Sequence, residues 1–123
     1  MASISNIQFS AKKSAGDDRA WVVEVRYDAS FLADELSKKY QFSDHCELYD
    51  DDPSFDDYLA SGGNISFVPT TSPVKRVITI DTTETTLDTD VGNEELYVIV
   101  FLKNQTTGEE VNRKSDKILS LPV

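Results

Sequence analysis

Hydrophobic and polar positions alternate with a period of two along most of this chain. The clearest stretch runs from Arg19 to Tyr27, where Trp21, Val23, Val25 and Tyr27 share one face and Val22, Glu24 and Arg26 the other. That pattern predicts a strand with one buried side. A second stretch, Glu95 to Lys103, departs from alternation because it is apolar on both sides. Leu96, Val98, Val100 and Leu102 line one face, Tyr97, Ile99 and Phe101 the other, with Asn93 before the run and Asn104 after it. Its β-branched and aromatic residues disfavour a helix and predict a central strand.

Shorter strands are expected around it. Ile4 to Ala11 places Ile7, Phe9 and Ala11 on one face, and Lys12 to Asp18 with Ala15-Gly16-Asp17-Asp18 reads as a turn. His45 to Tyr49, Asn64 to Val68, Lys75 to Thr82 and Asp116 to Val123 complete a set of seven strands. Asn104 to Gly108 predicts a turn, while Thr82 to Asp90 either extends a strand or forms a loop. Two segments carry helical spacing. In Asp28 to Phe42, Leu32, Leu36 and Tyr40 recur every four residues, with Ser30 or Asp28 as a candidate cap, predicting a helix of about two to three turns. At Pro53 to Ala60, Asp52 is a candidate N-cap, and Phe55 and Leu59 share a face, predicting a short helix that ends before Gly62.

Seven short strands with turn signals between them predict an all-β fold, a seven-stranded antiparallel sandwich with one or two short inserted helices, in a single domain over residues 1–123. The order resembles the immunoglobulin-like and fibronectin type III-like superfamily. In that resemblance Tyr97 heads strand F, the apolar run and its Asn/Gly turn follow, and the final stretch is strand G. Ile99 stands where antibody domains carry a cysteine, and Trp21 is on strand B rather than C. Folds of this type host many functions, so the resemblance carries no activity with it.

Composition narrows the function classes. Hydrophobic content is 39% and charged content 28%, ordinary for a globular domain. No apolar run approaches the roughly 20 residues a membrane helix needs. No basic and apolar leader opens the chain; with a single thiol this leans toward a cytoplasmic protein or a component of an assembled particle. The lone Cys46 excludes an internal disulfide and reads as a small core residue. Acidic residues outnumber basic ones 22 to 12, and a net charge of -10 argues against binding nucleic acid through phosphate contacts.

The sandwich topology turns that surplus into a map. Connections A–B, C–D and E–F fall at one end, with Asp17, Asp18, Asp50, Asp51, Asp52, Asp56, Asp57, Asp81, Glu84, Asp88, Asp90, Glu94 and Glu95 against Lys12, Lys13 and Arg19. One end then holds the whole formal net charge. Solubility and helix capping account for such loops. The alternative is a Ca²⁺ site from Asp50, Asp51, Asp52, Asp88 and Asp90, because Ca²⁺ takes roughly 6–8 oxygen ligands from loops. No EF-hand spacing supports it. The loop aspartates, Asp88-Thr89-Asp90 among them, also superficially resemble those of C2-type calcium-dependent membrane modules.

Catalytic motifs are absent from the sequence. His45 and Cys46 are neighbours on a strand and face opposite sides, so they cannot pair as base and nucleophile. There is no phosphate loop, serine elbow or paired-histidine element. Carboxylates alone remain a formal route to glycosidase-like chemistry. Two Asn-x-Ser/Thr sequons, at Asn64 and Asn104, read as chance, with Asn104 a turn residue.

One question stays open at this level. The apolar outer face of the central strand is either covered by the segment bearing Leu32, Leu36 and Tyr40, the arrangement expected here, or it is a contact surface centred on Tyr97 and Phe101. The expected function is a non-catalytic binding or structural-assembly module whose partner is another protein, a second copy, or a basic surface. The alternative is a Ca²⁺-dependent binder of membrane or carbohydrate.

Overall fold

In the computed structural model, residues 1–14, 19–51, 57–87, 93–116 and 119–122 are described. The alternating segment Arg19 to Tyr27 forms the heart of β2 (Ala20–Ser30), which lies between β1 (Ser3–Lys13) and β5 (Val74–Thr83) in an antiparallel three-stranded sheet. The doubly apolar run becomes β6 (Asn93–Asn104), flanked by β3 (Phe42–Asp50) on one side. On its other side, β7 (Glu110–Lys114) pairs with Ile99 to Lys103, and β8 (Leu119–Pro122) pairs with Asn93 to Leu96. These two segments share one strand position. Ser115 lies between them; its amide donates to the Val98 carbonyl at 2.8 Å, and the Val98 amide donates to its Oγ at 3.3 Å. With β4 (Asp57–Phe67) at the edge beyond β3, the second sheet runs β4-β3-β6-β7, and the fold is all-β in two antiparallel sheets. The expected seven strand positions are present, although the last was read as one segment and β7 was not foreseen.

The sheets bury their alternate residues against each other. Val23, Val25, Tyr27, Ile78 and Ile80 from the first meet Leu48, Leu96, Val98, Val100 and Leu102 from the second, all 1% exposed or less. A buried polar cluster joins the layers. Tyr27 Oη donates to Asp44 Oδ2 at 2.6 Å, and Arg76 reaches the same carboxylate through Nε at 2.9 Å and Nη2 at 3.2 Å. Asp44 is fully buried, and its only tolerable state there is paired and hydrogen-bonded. The guanidinium lies over the Phe67 ring, 3.8 Å from its centroid, which uses the apolar face left free by the in-plane bonds.

Both helical expectations are corrected. In place of a helix of about two to three turns, β2 continues to Ser30 and β3 begins at Phe42, leaving only α1 (Ala33–Ser37). Asp28 and Ser30 are strand residues rather than caps. The first helical turn is closed by Glu35, whose Oε1 accepts the Leu32 amide at 2.8 Å. Strand pairing outweighs the four-residue spacing because Asp28 and Ser30 sit in register with Ser5 and Ser3. The helix expected over Pro53 to Ala60 is contradicted where it can be seen. Asp57 to Ala60 is extended in β4, and Asp52 to Asp56 lie outside the described residues. β4 therefore begins well before Asn64.

Ser61-Gly62-Gly63, read as a strand boundary, lies inside β4. Gly62 is there because β4 and β5, edge strands of opposite sheets, come close together. A Cβ at that position would run into the Thr79 carbonyl oxygen and the Ile80 side chain. Gly63 has φ +103° and the following Asn64 φ +71°, the left-handed backbone of a bulge that sets His45 opposite Gly63 and Asp44 opposite Ile65. The Asn104 turn forms as expected: Asn104 Oδ1 accepts the Thr106 and Thr107 amides at 2.9 and 3.1 Å, and Gly108 takes φ +84°. After β5, Thr83 Oγ1 accepts the Thr86 amide at 3.2 Å to start the single turn α2 (Glu84–Leu87), and Leu87 plugs the core.

Candidate interaction surface

The side chains of β3 and β6 that do not enter the core form the outer face of the five-stranded second sheet. Register pairs Tyr49 with Tyr97, Glu47 with Ile99 and His45 with Phe101. The first pair belongs to an aromatic row. Tyr49 stacks on Tyr97 with ring centroids 5.4 Å apart and planes 9° from parallel, and meets Tyr58 edge-on at 5.9 Å and 76°. Lys114 Nζ sits 4.0 Å from the Tyr97 ring centroid, a cation–π contact at the other end of the row. Four residues along each strand, the His45 imidazole stacks on Phe101 at 4.5 Å with planes 1° apart. Ile99 lies between the two aromatic rows and, like Phe101, is half-buried.

Exposure separates the two residues singled out from sequence. Tyr97 is only 4% exposed, its ring lying between Tyr49 and Lys114, whereas Phe101 keeps part of its ring open. Tyr58, which sequence reasoning placed in a helix, is 54% exposed and is the most open ring of the face. Tyr49 was also missed as a face residue, although its two-residue spacing from His45 and Glu47 on one strand was a readable signal. Lys114 was missed because β7 was.

The covering arrangement expected for this face is not what forms. α1 follows β2 at the end of the sheets opposite the β5–β6 connection. Leu36 and Tyr40 pack against the interior there, and Leu32 is 52% exposed. The rings that meet Tyr97 and Phe101 are Tyr49 and His45, not Tyr40.

Polar groups on the face include Glu47 and Glu95 beside Lys103, Asn112 and Lys114. Tyr49 Oη donates to Glu47 Oε2 at 3.3 Å; partial burial and then the Glu47 charge hold that phenol above its usual pKa. Beyond the tyrosine row, the Asp51 amide donates to the Glu95 carbonyl at 2.7 Å, which sets these two residues side by side; Asp51 is half-buried and Glu95 exposed. Beside His45 lies an open hollow of about 340 Å³, lined by Ser61, Gly62, Gly63 and Asn64.

The charge map can be followed only in part, because Asp17, Asp18, Asp52, Asp56, Asp88 and Asp90 lie outside the described residues. Lys13 pairs with Trp21, Ala20 with Thr83, and Asp50 with both Asp57 and Leu96, so the connections leaving β1, β3 and β5 depart from one end. Of the candidate Ca²⁺ ligands, Asp50 is turned inward and 1% exposed, and Asp51 stands at the strand end. Asp52, Asp88 and Asp90 lie outside the described residues. Among the described residues no group of three or more His, Cys, Asp or Glu could hold a metal ion. Cys46 is fully buried, and burial, then the nearby Asp44 and Glu47 charges, push its thiol up to about 12, so it is an unreactive core residue. His45 stands on the opposite face of the same strand. Asn104, one of the two sequon asparagines, is 3% exposed and engaged in its turn. No helix among the described residues is long and apolar enough to cross a membrane.

No protein-family model matches the chain, and no match was found among curated proteins.

Proposed function

We propose that this chain is a non-catalytic, immunoglobulin-like β-sandwich module that binds a protein partner through the outer face of its five-stranded sheet. The sheet order supports the topological part. β1, β2 and β5 take the positions of strands A, B and E, and β3, β6 and β7 those of C, F and G. β4 pairs with β3 rather than β5, so the fourth strand joins the C-F-G sheet instead of the A-B-E sheet of constant-type domains. Tyr97 at the head of β6 matches the position that suggested the resemblance.

The observation that carries the binding reading is the exposed apolar surface of this face. Ile99, Phe101, Tyr49 and Tyr58 keep apolar surface open on a sheet whose core needs only the opposite side of each strand, and the inserted helix does not cover them. Aromatic residues displayed on a rigid sheet supply large contact area at little entropic cost, the usual composition of a protein-binding patch. A photo-crosslinking amino acid at position 101, compared with one at position 79 on the outer face of the other sheet, tests this in the native host. A polypeptide adduct is expected from position 101 and none from position 79. Equal labelling from both, or none from either, overturns the reading.

A further inference from the structure

We propose that the tyrosine end of this face takes the arginine or lysine side chains of a basic segment in the partner protein, seated against Tyr58 and Tyr49 among Glu47, Asp51 and Glu95. The proposal rests on the docking reading above and adds the chemistry of what docks.

Three observations converge on a cation. First, the row already holds one: Lys114 Nζ lies 4.0 Å from the Tyr97 centroid. The stacked Tyr49 and the 54% exposed Tyr58 continue the same row away from Lys114, and Tyr58 has no cation on its ring among the described residues. Second, Glu47 accepts the Tyr49 hydroxyl, Asp51 and Glu95 lie two residues from Tyr49 and Tyr97 at the same end of the sheet, and none of the three forms an ion pair among the described residues. Aromatic rings flanked by uncompensated carboxylates favour a guanidinium or ammonium over any neutral or anionic group. Third, the charge balance of the whole chain is -10, so long-range attraction draws a cationic partner and repels an acidic one. The outer face of the three-stranded sheet lacks this arrangement. There Glu24 is paired with Arg26 at 2.6 Å, and Lys75 stands nearby on β5.

The test is a nuclear magnetic resonance titration of the intact chain with two short peptides, one alternating arginine with valine and one alternating glutamate with valine. The arginine peptide is expected to bind at least about tenfold more tightly, with shifts centred on Glu47, Tyr49 and Tyr58, and to weaken as salt rises from about 0.05 to about 0.5 M. Tyr58→Ala is expected to weaken it by about three- to tenfold. Glu47→Gln combined with Glu95→Gln leaves every ring in place and is expected to weaken it comparably, which keeps the test sound if Tyr58→Ala disturbs β4. Equal binding of both peptides, or shifts confined to the other sheet, overturns the proposal. If position 101 still crosslinks to a protein, only the cationic chemistry has failed; if that crosslink is also missing, the docking reading has failed first.

Discussion

The two outer faces of this molecule are built on strands that are alike from the inside. β2 and β6 are each central in their sheets, and Val23 and Val25 on one are as fully buried as Val98 and Val100 on the other. Outside they diverge. β2 presents Val22, Glu24, Arg26 and Asp28, tied locally by the Glu24–Arg26 pair and by Asn6 Nδ2 donating to Asp28 Oδ2 at 2.8 Å. Such exposed pairs contribute about 0–1 kcal/mol and ask nothing of a partner. β6 presents Tyr97, Ile99 and Phe101, with Tyr49 and His45 stacked on them from β3. One buried side is enough to hold a central strand in a sandwich. Apolar side chains on the second side therefore go beyond what holding the strand in the fold requires.

On this contrast the inner cluster, not the outer rings, carries the stability. Asp44→Ala leaves Arg76 without its carboxylate and Tyr27 without its acceptor, so a loss of about 3 kcal/mol in denaturant unfolding is expected. The figure is set at the lower end of the range for broken buried pairs because the Arg76 side chain is 19% exposed and can recover some hydration. Tyr27→Phe, which removes one bond to a charged acceptor, is expected to cost about 1.5 kcal/mol. Costs below about 1 kcal/mol for Asp44→Ala would mean that the sheets are not joined through this cluster, and the contrast between inside and outside would lose its basis.

The same contrast explains what could be read from sequence. Strict alternation in Trp21 to Tyr27 and the double apolar run in Leu96 to Leu102 identified both central strands, because burial on a pleated sheet imposes a period of two whatever the neighbours are. The turn at Asn104 was readable because its chemistry is local to the chain. Failures came where a distant strand decided the outcome. Gly62 looked like a breaker, yet it is a strand residue whose missing side chain lets β5 approach, a fact visible only once β4 and β5 are adjacent. Leu59 suggested helical spacing with Phe55, but it is the extra residue of a bulge between the Leu48–Ala60 and Tyr49–Tyr58 pairs. The face was legible through Phe101 and Tyr97, but its most exposed ring, Tyr58, was hidden behind that same misreading.

Alkaline pH probes the inward side of β3. The Cys46 thiol points inward and is held at about 12, against an unfolded value of about 8.5. A folded-state pKa above the unfolded one means that the stabilisation is complete below about pH 8.5 and is lost as pH rises toward the folded value, with a slope up to about 1.4 kcal/mol per pH unit. Wild type should therefore lose about 2 kcal/mol more than Cys46→Ala between pH 7 and pH 10, measured by denaturant midpoints at each pH. Parallel losses in the two proteins would show that Cys46 ionises as easily in the fold as out of it.

The smallest expected effect bears most directly on the comparison. Phe101→Ser and Arg26→Ser remove outward side chains from the second-sheet and first-sheet faces respectively. The first forfeits a half-buried ring and its stack on His45, worth about 1 kcal/mol; the second forfeits an exposed pair in which the Arg26 side chain is 66% open and should change stability by less than about 0.5 kcal/mol. Thermal melting checks both. The functional difference should run far beyond that narrow gap: Phe101→Ser should abolish partner association while its melting point falls only a few degrees, and Arg26→Ser should leave association intact. A ring that is part of the core would behave otherwise, with a stability loss approaching that of Asp44→Ala and association lost only because the chain unfolds. In that case the second apolar side of β6 would be packing, and the two faces would differ in composition without differing in purpose.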